Sequence, residues 1–337
     1  MKNSLNILKK LPIAVIAILM VSIPAFTDNN YIISTLVYCF VFASLAIAWN
    51  LIGGYGEQVS WCNASFVAIG AYTGMIMYKM LGISPFIAIL VGTGLAFIAA
   101  TLIGYGTFRL RGIYFSIATI AFGEIVRISL QFWQGLTGGA AGYYVTYTGQ
   151  NFSALMFKND VPFYYILLAL LVIVILIASW FERSKIGHYL SAIKGDEDAA
   201  ISLGIDSFKI KLTTFQLSAV ISAAVGTFFG FFIGFIDPGT VSSLNLSVKI
   251  VVIAIIGGVG TIWGPVLGSF VINILAEGLN SMFGDVGGLS LAVYGFLLIV
   301  IVIFKPAGLI SLFPKWGNNS KSARKSDDES TQNEVLP

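Results

Sequence analysis

Long apolar runs separated by short polar breaks dominate the chain and set its element order. A bilayer hydrocarbon core about 30 Å thick takes roughly 20 apolar residues per helical crossing. Runs of that kind lie at Leu11–Phe26, Tyr31–Ile52, Gln58–Tyr78, Pro85–Thr107, Gly112–Trp133, Pro162–Phe181, Leu212–Ile236, Leu246–Ile262, Pro265–Phe283 and Leu289–Phe304. None has the strict alternation of barrel strands, so helices must satisfy the backbone in lipid. The pattern predicts an all-α, polytopic transmembrane helix bundle of about ten spans. Leu11–Phe26 has the basic flank of a signal peptide but no convincing cleavage site, and it is read as the first crossing. Around Gly257-Gly258-Val259-Gly260 the pattern fits two short helices as well as one bent helix.

Composition agrees with a membrane protein. Of 337 residues, 57% are hydrophobic and only 10% are charged, with mean hydropathy +0.89. Soluble domains carry about 25% charged residues. If ten crossings begin in the cytoplasm, 15 of the 19 lysines and arginines fall inside, the exceptions being Lys79, Arg127, Lys158 and Lys249. That is the positive-inside bias. It puts both termini and the polar stretch 182–211 in the cytoplasm, and Leu136–Val161 and Asp237–Asn245 outside. The polar tail 317–337 is expected to be disordered, which leaves residues 1–316 as the transmembrane domain.

The stretch 182–211 is the long polar segment between apolar runs. Ile186, Leu190 and Ile193 follow Ser184 at helical spacing and form one apolar stripe. Lys194-Gly195 ends that helix. Asp196 or Asp198 suits the N-cap of a second, with acids in its first turn. Ala199, Ala200, Ile201 and Leu203 fill it, and Gly204 fits a C′ position of positive φ. The expected product is a helix–turn–helix at the membrane surface, with small residues offering a docking face and Gly187 part of it. A solvated amphipathic linker lying on lipid is the competing reading.

Several residues inside the apolar runs carry possible chemistry. Glu124 and Arg127 lie three apart on one helix and should pair and turn inward, because an unpaired charge in hydrocarbon costs about 2.5–3.5 kcal/mol. Lys249 should snorkel outward. Glu277 needs a partner, and Glu57 should be interfacial. Most of the 36 glycines should be packing residues. Gly53, Gly54, Gly257 and Gly258 fall at span ends or breaks and, with Asn50 and Asn63, are candidates for lining a solute path. Cys39 and Cys62 read as buried free thiols, and one histidine, His188, cannot build a metal site, so no metal is expected. There is no GxxxxGK[ST] motif and no catalytic constellation, which argues against an enzyme and against a nucleotide held by this chain.

Ser184–Ile205 resembles the cytoplasmic coupling loop of membrane subunits of bacterial branched-chain amino-acid ABC importers of the LivM type. The resemblance runs from about Ala48 to Leu309. It is carried by Asn50-Leu51-Ile52-Gly53-Gly54-Tyr55, Ala64-Ser65-Phe66 with Gly70-Ala71-Tyr72-Thr73, Arg109-Leu110-Arg111-Gly112 with Phe122-Gly123-Glu124, Thr137-Gly138-Gly139 with Gly142, and Gly257-Gly258-Val259-Gly260-Thr261 with Gly264-Pro265 and Gly268. The family often has Gly-His where this chain has Cys62-Asn63, a departure that bears on the substrate.

The resemblance implies a permease subunit in the bacterial cytoplasmic membrane with no cofactor of its own. Two ATP-binding cassette ATPases would dock on Ser184, Gly187, Leu190, Ile193, Asp196, Glu197, Ala199, Ala200, Leu203 and Gly204. A second homologous permease subunit would complete the path, and an extracytoplasmic solute-binding protein would deliver leucine, isoleucine or valine. Other amino acids, urea or short amides are alternatives within the family. An ion-coupled secondary transporter is the rival of another class, and it needs carboxylates such as Glu124 and Glu277 at mid-membrane.

Overall fold

A computed structural model describes residues 20–27, 29–110, 112–145, 152–283 and 308–312, with isolated positions 293, 295, 299 and 303. The chain is all-α apart from one two-residue strand pair among the described residues. The long helices are α1 (Asn30–Gly53), α2 (Asn63–Leu81), α3 (Pro85–Thr107), α4 (Ile113–Phe132) and α5 (Val161–Arg183). The short surface helices α6 (Lys185–Gly195) and α7 (Glu197–Ser202) follow, then α8 (Ser207–Ile233), α9 (Leu244–Gly257) and α10 (Trp263–Phe283).

Seven segments among the described residues are long and apolar enough to cross a membrane: α1 to α5, α8, and α9 together with the one-turn helix Pro238–Val241 before it. Of the ten expected runs, eight lie largely within the described residues, and α10 is the one of these that is not among the seven. Most of Leu11–Phe26 and of Leu289–Phe304, and all of the tail 317–337, lie outside the described residues. Residues 20–26 are helical.

Helix α1 is the hub. From Cys39 to Gly53 every residue is buried, and α1 packs against α5, α8, α9 and α10. Phe40 meets Tyr164 of α5 edge-on with centroids 5.0 Å apart, and Tyr38 meets Phe232 of α8 at 5.5 Å. Helices α2 and α8 approach until their backbones touch. A Cβ on Gly70 would collide with the Ala223 carbonyl, and one on Gly226 with the Val67 carbonyl. Without a hydrophobic drive between helices in lipid, small residues at such crossings provide the attraction by close packing. Helices α3 and α4 sit at the periphery and turn Leu90, Leu102, Ile117 and Phe132 outward.

Three boundaries depart from the apolar pattern. The run from Gln58 does not become helical until Asn63, because residues 54–62 fold back into the bundle. The Trp49 indole donates to the Ser60 carbonyl at 2.8 Å, Ser116 Oγ to the Val59 carbonyl at 2.8 Å, and the Trp61 N–H to Thr119 Oγ1 at 3.1 Å. Helix α8 begins at Ser207, earlier than its apolar run, because Asp206 caps it by accepting from the Lys209 N–H at 3.1 Å. The glycine segment resolves into two helices, with Gly258 (φ +130°) and Gly260 (φ +73°) in the break. At the opposite end, Tyr143–Tyr144 pairs antiparallel with Phe235–Ile236 and ties two outer segments together.

One charged side chain also differs from expectation. Lys249 does not snorkel outward. Its ammonium lies 3.9 Å from the centroid of the Phe42 ring of α1, where a cation–π contact and the nearby Glu277 carboxylate offset its partial burial. The Glu277 backbone carbonyl accepts from the Tyr31 hydroxyl at 3.0 Å.

The backbone contact between α2 and α8 is directly testable. Gly70→Ala and Gly226→Ala should each destabilise the protein by about 1–3 kcal/mol through overpacking. Gly94→Ala, whose Cβ would meet nothing within 4 Å, should be close to neutral. Thermal unfolding in detergent reads the difference, and equal melting of all three variants would contradict the packing described.

Candidate functional site

The loop between α5 and α8 folds as its polar pattern predicts. Ser184 caps α6, its hydroxyl accepting from the Gly187 N–H at 3.3 Å. Asp196 caps α7 by accepting from the Ala199 N–H at 3.0 Å, and Gly204 takes φ +86°. A residue with a Cβ is strained at that φ, which is why glycine ends the helix.

The two faces of this loop have different jobs. Leu190, Ile193 and Ala200 are buried against the bundle, and a Cβ on Gly187 would meet the Phe181 carbonyl. Leu190 lies against Gly56. These residues seat the loop, so they are not a free docking face, a correction to the reading of Gly187 and Ala200. Glu197 also faces inward: its carboxylate receives the Lys211 ammonium at 2.7 Å and the Ser207 hydroxyl. Lys211 is almost fully buried, so this pair fixes α7 to the start of α8. Asp196, Ala199, Leu203 and Gly204 point away from the bundle, as do Tyr189 and Ile201. Leu203 is 83% exposed. An exposed leucine and isoleucine on a rigid loop form a surface that can be covered by another protein. His188 is exposed, with Nδ1 2.8 Å from the Ser184 carbonyl. The Lys209 ammonium and N–H hold the Asp206 carboxyl below its ordinary range.

A relay of contacts joins this loop to the break between α9 and α10. Lys194 at the end of α6 donates to the Gly54 carbonyl at 3.2 Å and lies 3.2 Å from the Glu57 carboxylate. Glu57 holds a left-handed φ of +52°, uncommon for a residue with a side chain. One turn back on α1, the Asn50 amide donates to the Thr261 carbonyl at 2.8 Å and accepts from the Gly260 N–H at 2.9 Å. Asn50 therefore occupies both hydrogen-bonding groups of a stretch that no helix satisfies. A Cβ on Gly54 would strike the Asn50 side chain, and one on Gly257 the Gly264 carbonyl. Gly53 packs under the Trp49 ring. The sequence-predicted Asn50, Gly53, Gly54, Gly257 and Gly258 thus come together at one end of the bundle, beneath the loop.

Asn63 is elsewhere. It starts α2 opposite Ser218 and Ser222, with its amide nitrogen 3.5 and 3.4 Å from their hydroxyls. Those serines flank the midpoint of α8. Sequence reasoning missed Lys194, Lys211, Ser218 and Ser222 as partners. A signal existed for the serines, since Thr214, Ser218 and Ser222 recur at four-residue spacing on an apolar helix.

Glu124 and Arg127 pair as expected, with Nε 2.9 Å from Oε2 and a second, shorter contact. They do not turn inward. Both sit on the outer face of α4, a helix that buries only Phe115 and Thr119 fully. Among the described residues no group of three or more His, Cys, Asp or Glu could hold a metal ion.

The profile of the family described as "Branched-chain amino acid transport system / permease component" matches residues 31–302. The high-affinity branched-chain amino acid transport system permease protein LivM of Escherichia coli is 28% identical over 327 residues, 90% of this chain and 75% of LivM. LivH of the same organism, the permease protein of a transport system of the same description, is 25% identical over 287 residues, 80% of this chain and 91% of LivH. The xylose transport system permease protein XylH of Haemophilus influenzae is 31% identical over 136 residues, 38% of this chain and 36% of XylH. No solved structure matches the chain.

Removing the Asn50 amide should expose its importance. Asn50→Ala leaves the Thr261 carbonyl and the Gly260 N–H without partners, a cost of about 1–3 kcal/mol each. Amide hydrogen exchange at residues 258–262 should accelerate while exchange along α3 stays unchanged. Unchanged protection of the Gly260 amide would show that Asn50 is not the clamp.

Proposed function

Because the chain belongs to the family of branched-chain amino acid transport permease components, we propose that it is the membrane subunit of an ATP-driven importer for leucine, isoleucine and valine. The carrying observation is the seated loop of α6 and α7, which offers Ile201 and Leu203 outward while its inner face is locked to the bundle. A lever needs both properties: a surface a motor can grip and a rigid attachment to what must move. ATP belongs to two partner ATPases, and this chain supplies no cofactor site. An extracytoplasmic binding protein delivers the solute and supplies most of the recognition. The chain lies in the bacterial cytoplasmic membrane with both termini and the loop in the cytoplasm.

The outward Glu124–Arg127 pair supports a second permease subunit. An ion pair at hydrocarbon depth is costly against lipid acyl chains. A facing helix with polar side chains relieves that cost, so the outer face of α4 is the proposed contact with a homologous subunit. Lys194, Gly54 and Asn50 then form the route by which a push on the loop reaches the break between α9 and α10. The carboxylates that would favour an ion-coupled carrier do not meet: Glu124 is spent on Arg127 at the periphery, and Glu277 is on α10.

Two substitutions test the lever. Ile201→Asp with Leu203→Glu should abolish ATP-dependent leucine uptake and co-purification of the ATPases while leaving the chain inserted and folded. Uptake and co-purification at wild-type levels would remove the docking role. Reconstituted alone, the chain should accumulate no solute against a gradient, and uphill pumping by the lone chain would overturn the whole reading.

A further inference from the structure

Two helices begin inside the bundle and begin together. Helix α2 starts at Asn63 beside the middle of α8. Ser218 and Ser222 lie about 9–15 Å beyond Leu212, where the long apolar run of that helix begins, at 1.5 Å per residue. Helix α9 starts at Leu244, and its Ser247 hydroxyl accepts from the Ala64 N–H of α2 at 3.1 Å. From this contact the helices run in opposite directions. Helix α2 ends near the strand pair, where Lys79 reaches the Tyr144 carbonyl at 3.1 Å, and α9 ends at the Asn50 clamp. The two N-terminal turns therefore face each other halfway between the two ends of the bundle. Each helix start carries a partial positive charge of roughly half a unit from its aligned peptide dipoles. Two of them at one point form an electropositive centre made without a lysine or arginine.

Several side chains at the helix starts and along α2 are not satisfied by the protein. Asn63 Oδ1, Ser65 Oγ, Ser242 Oγ and Tyr72 OH are buried with no hydrogen-bond partner. Their residues are only 0%, 1%, 3% and 2% exposed. Such groups cost about 1–3 kcal/mol each when left unpaired. Asn63, Ser65 and Ser242 lie at or next to the two helix starts, so their free groups are available to a polar guest there. Ser65 and Tyr72 are seven residues apart, on one face of α2. Tyr72 lies within electrostatic reach of Asp237, at the turn that carries the outer segment inward. The unpaired groups thus run from the outer turn to the helix starts. Gly123 of α4 stands in front of Ser65, where an added Cβ would lie 3.5 Å from the Ser65 hydroxyl, an ordinary contact.

We propose that this meeting point is a mid-membrane resting site for the carboxylate of a zwitterionic amino acid. The Ser65 and Ser242 hydroxyls and the helix starts would face the carboxylate, and Asn63 Oδ1 would accept from the ammonium. A lone anion would be repelled by Asp237 on the way in, whereas a zwitterion carries its own compensating charge. The amino-acid part of this assignment rests on the proposed function; the carboxylate part rests on the helix starts and the unpaired hydroxyls.

The test uses the full-length chain in the membranes of the producing cell, with Cys39→Ser and Cys62→Ser as background. Ser65→Cys is probed with methyl methanethiosulfonate, a small neutral reagent, and Leu203→Cys serves as an exposed control. Leucine at high concentration should slow modification at position 65 about tenfold and leave position 203 unchanged, whereas leucinol, which lacks the carboxylate, should have no effect. Protection by isovalerate and not by leucine would uphold the carboxylate site and remove the amino-acid reading. Equal protection by leucinol, absence of protection by any carboxylate, or a position 65 that stays unreactive while position 203 reacts would each overturn the site.

Discussion

Hydrocarbon offers no partner to a peptide group, and this constraint orders the structure. Wherever the backbone leaves a helix inside the bundle, neighbouring side chains must complete its hydrogen bonds. Among the described residues this is seen at two places. Residues 54–62 are held by Trp49, Ser116 and Thr119, and the break after α9 is held by Asn50. Polar residues at these positions are therefore supports for irregular backbone first, and whatever they contribute to transport depends on that support. The close glycine packing of α2 on α8 serves the same end, because it brings the start of α2 against the serines of α8.

Placing irregular backbone beside the surface loop has a mechanical consequence. Lys194 reaches the first irregular segment, and Asn50 reaches the second from the same end of α1. A displacement of α6 cannot leave these segments untouched unless hydrogen bonds break. Regular helices resist such strain over their length, while glycine breaks such as Gly258 and Gly260 absorb it locally. The proposed lever and the proposed resting site thus sit at different depths of one chain, joined through α9, which begins at the site and ends at the clamp.

Charge follows a similar economy. The described part of the bundle concentrates its ionic contacts at the loop end, where Glu197 fixes Lys211 and Glu57 meets Lys194. The proposed resting site relies on helix starts and hydroxyls instead. Groups without formal charge can hold a passing solute weakly, which suits the transport role proposed above.

The sequence by itself determined the helical class, the approximate positions of seven spans, the two helices of the loop with a cap at Asp196 or Asp198, and the left-handed Gly204. These follow from local rules of period, length and capping, each readable within a few residues. The tertiary structure alone decided that Gly187 and Ala200 face the bundle, that Glu124 and Arg127 point outward, that Lys249 turns toward Phe42, and that α2 starts halfway up α8. Such facts depend on which faces of distant helices meet, and a hydropathy pattern that is apolar all round carries no record of its own orientation.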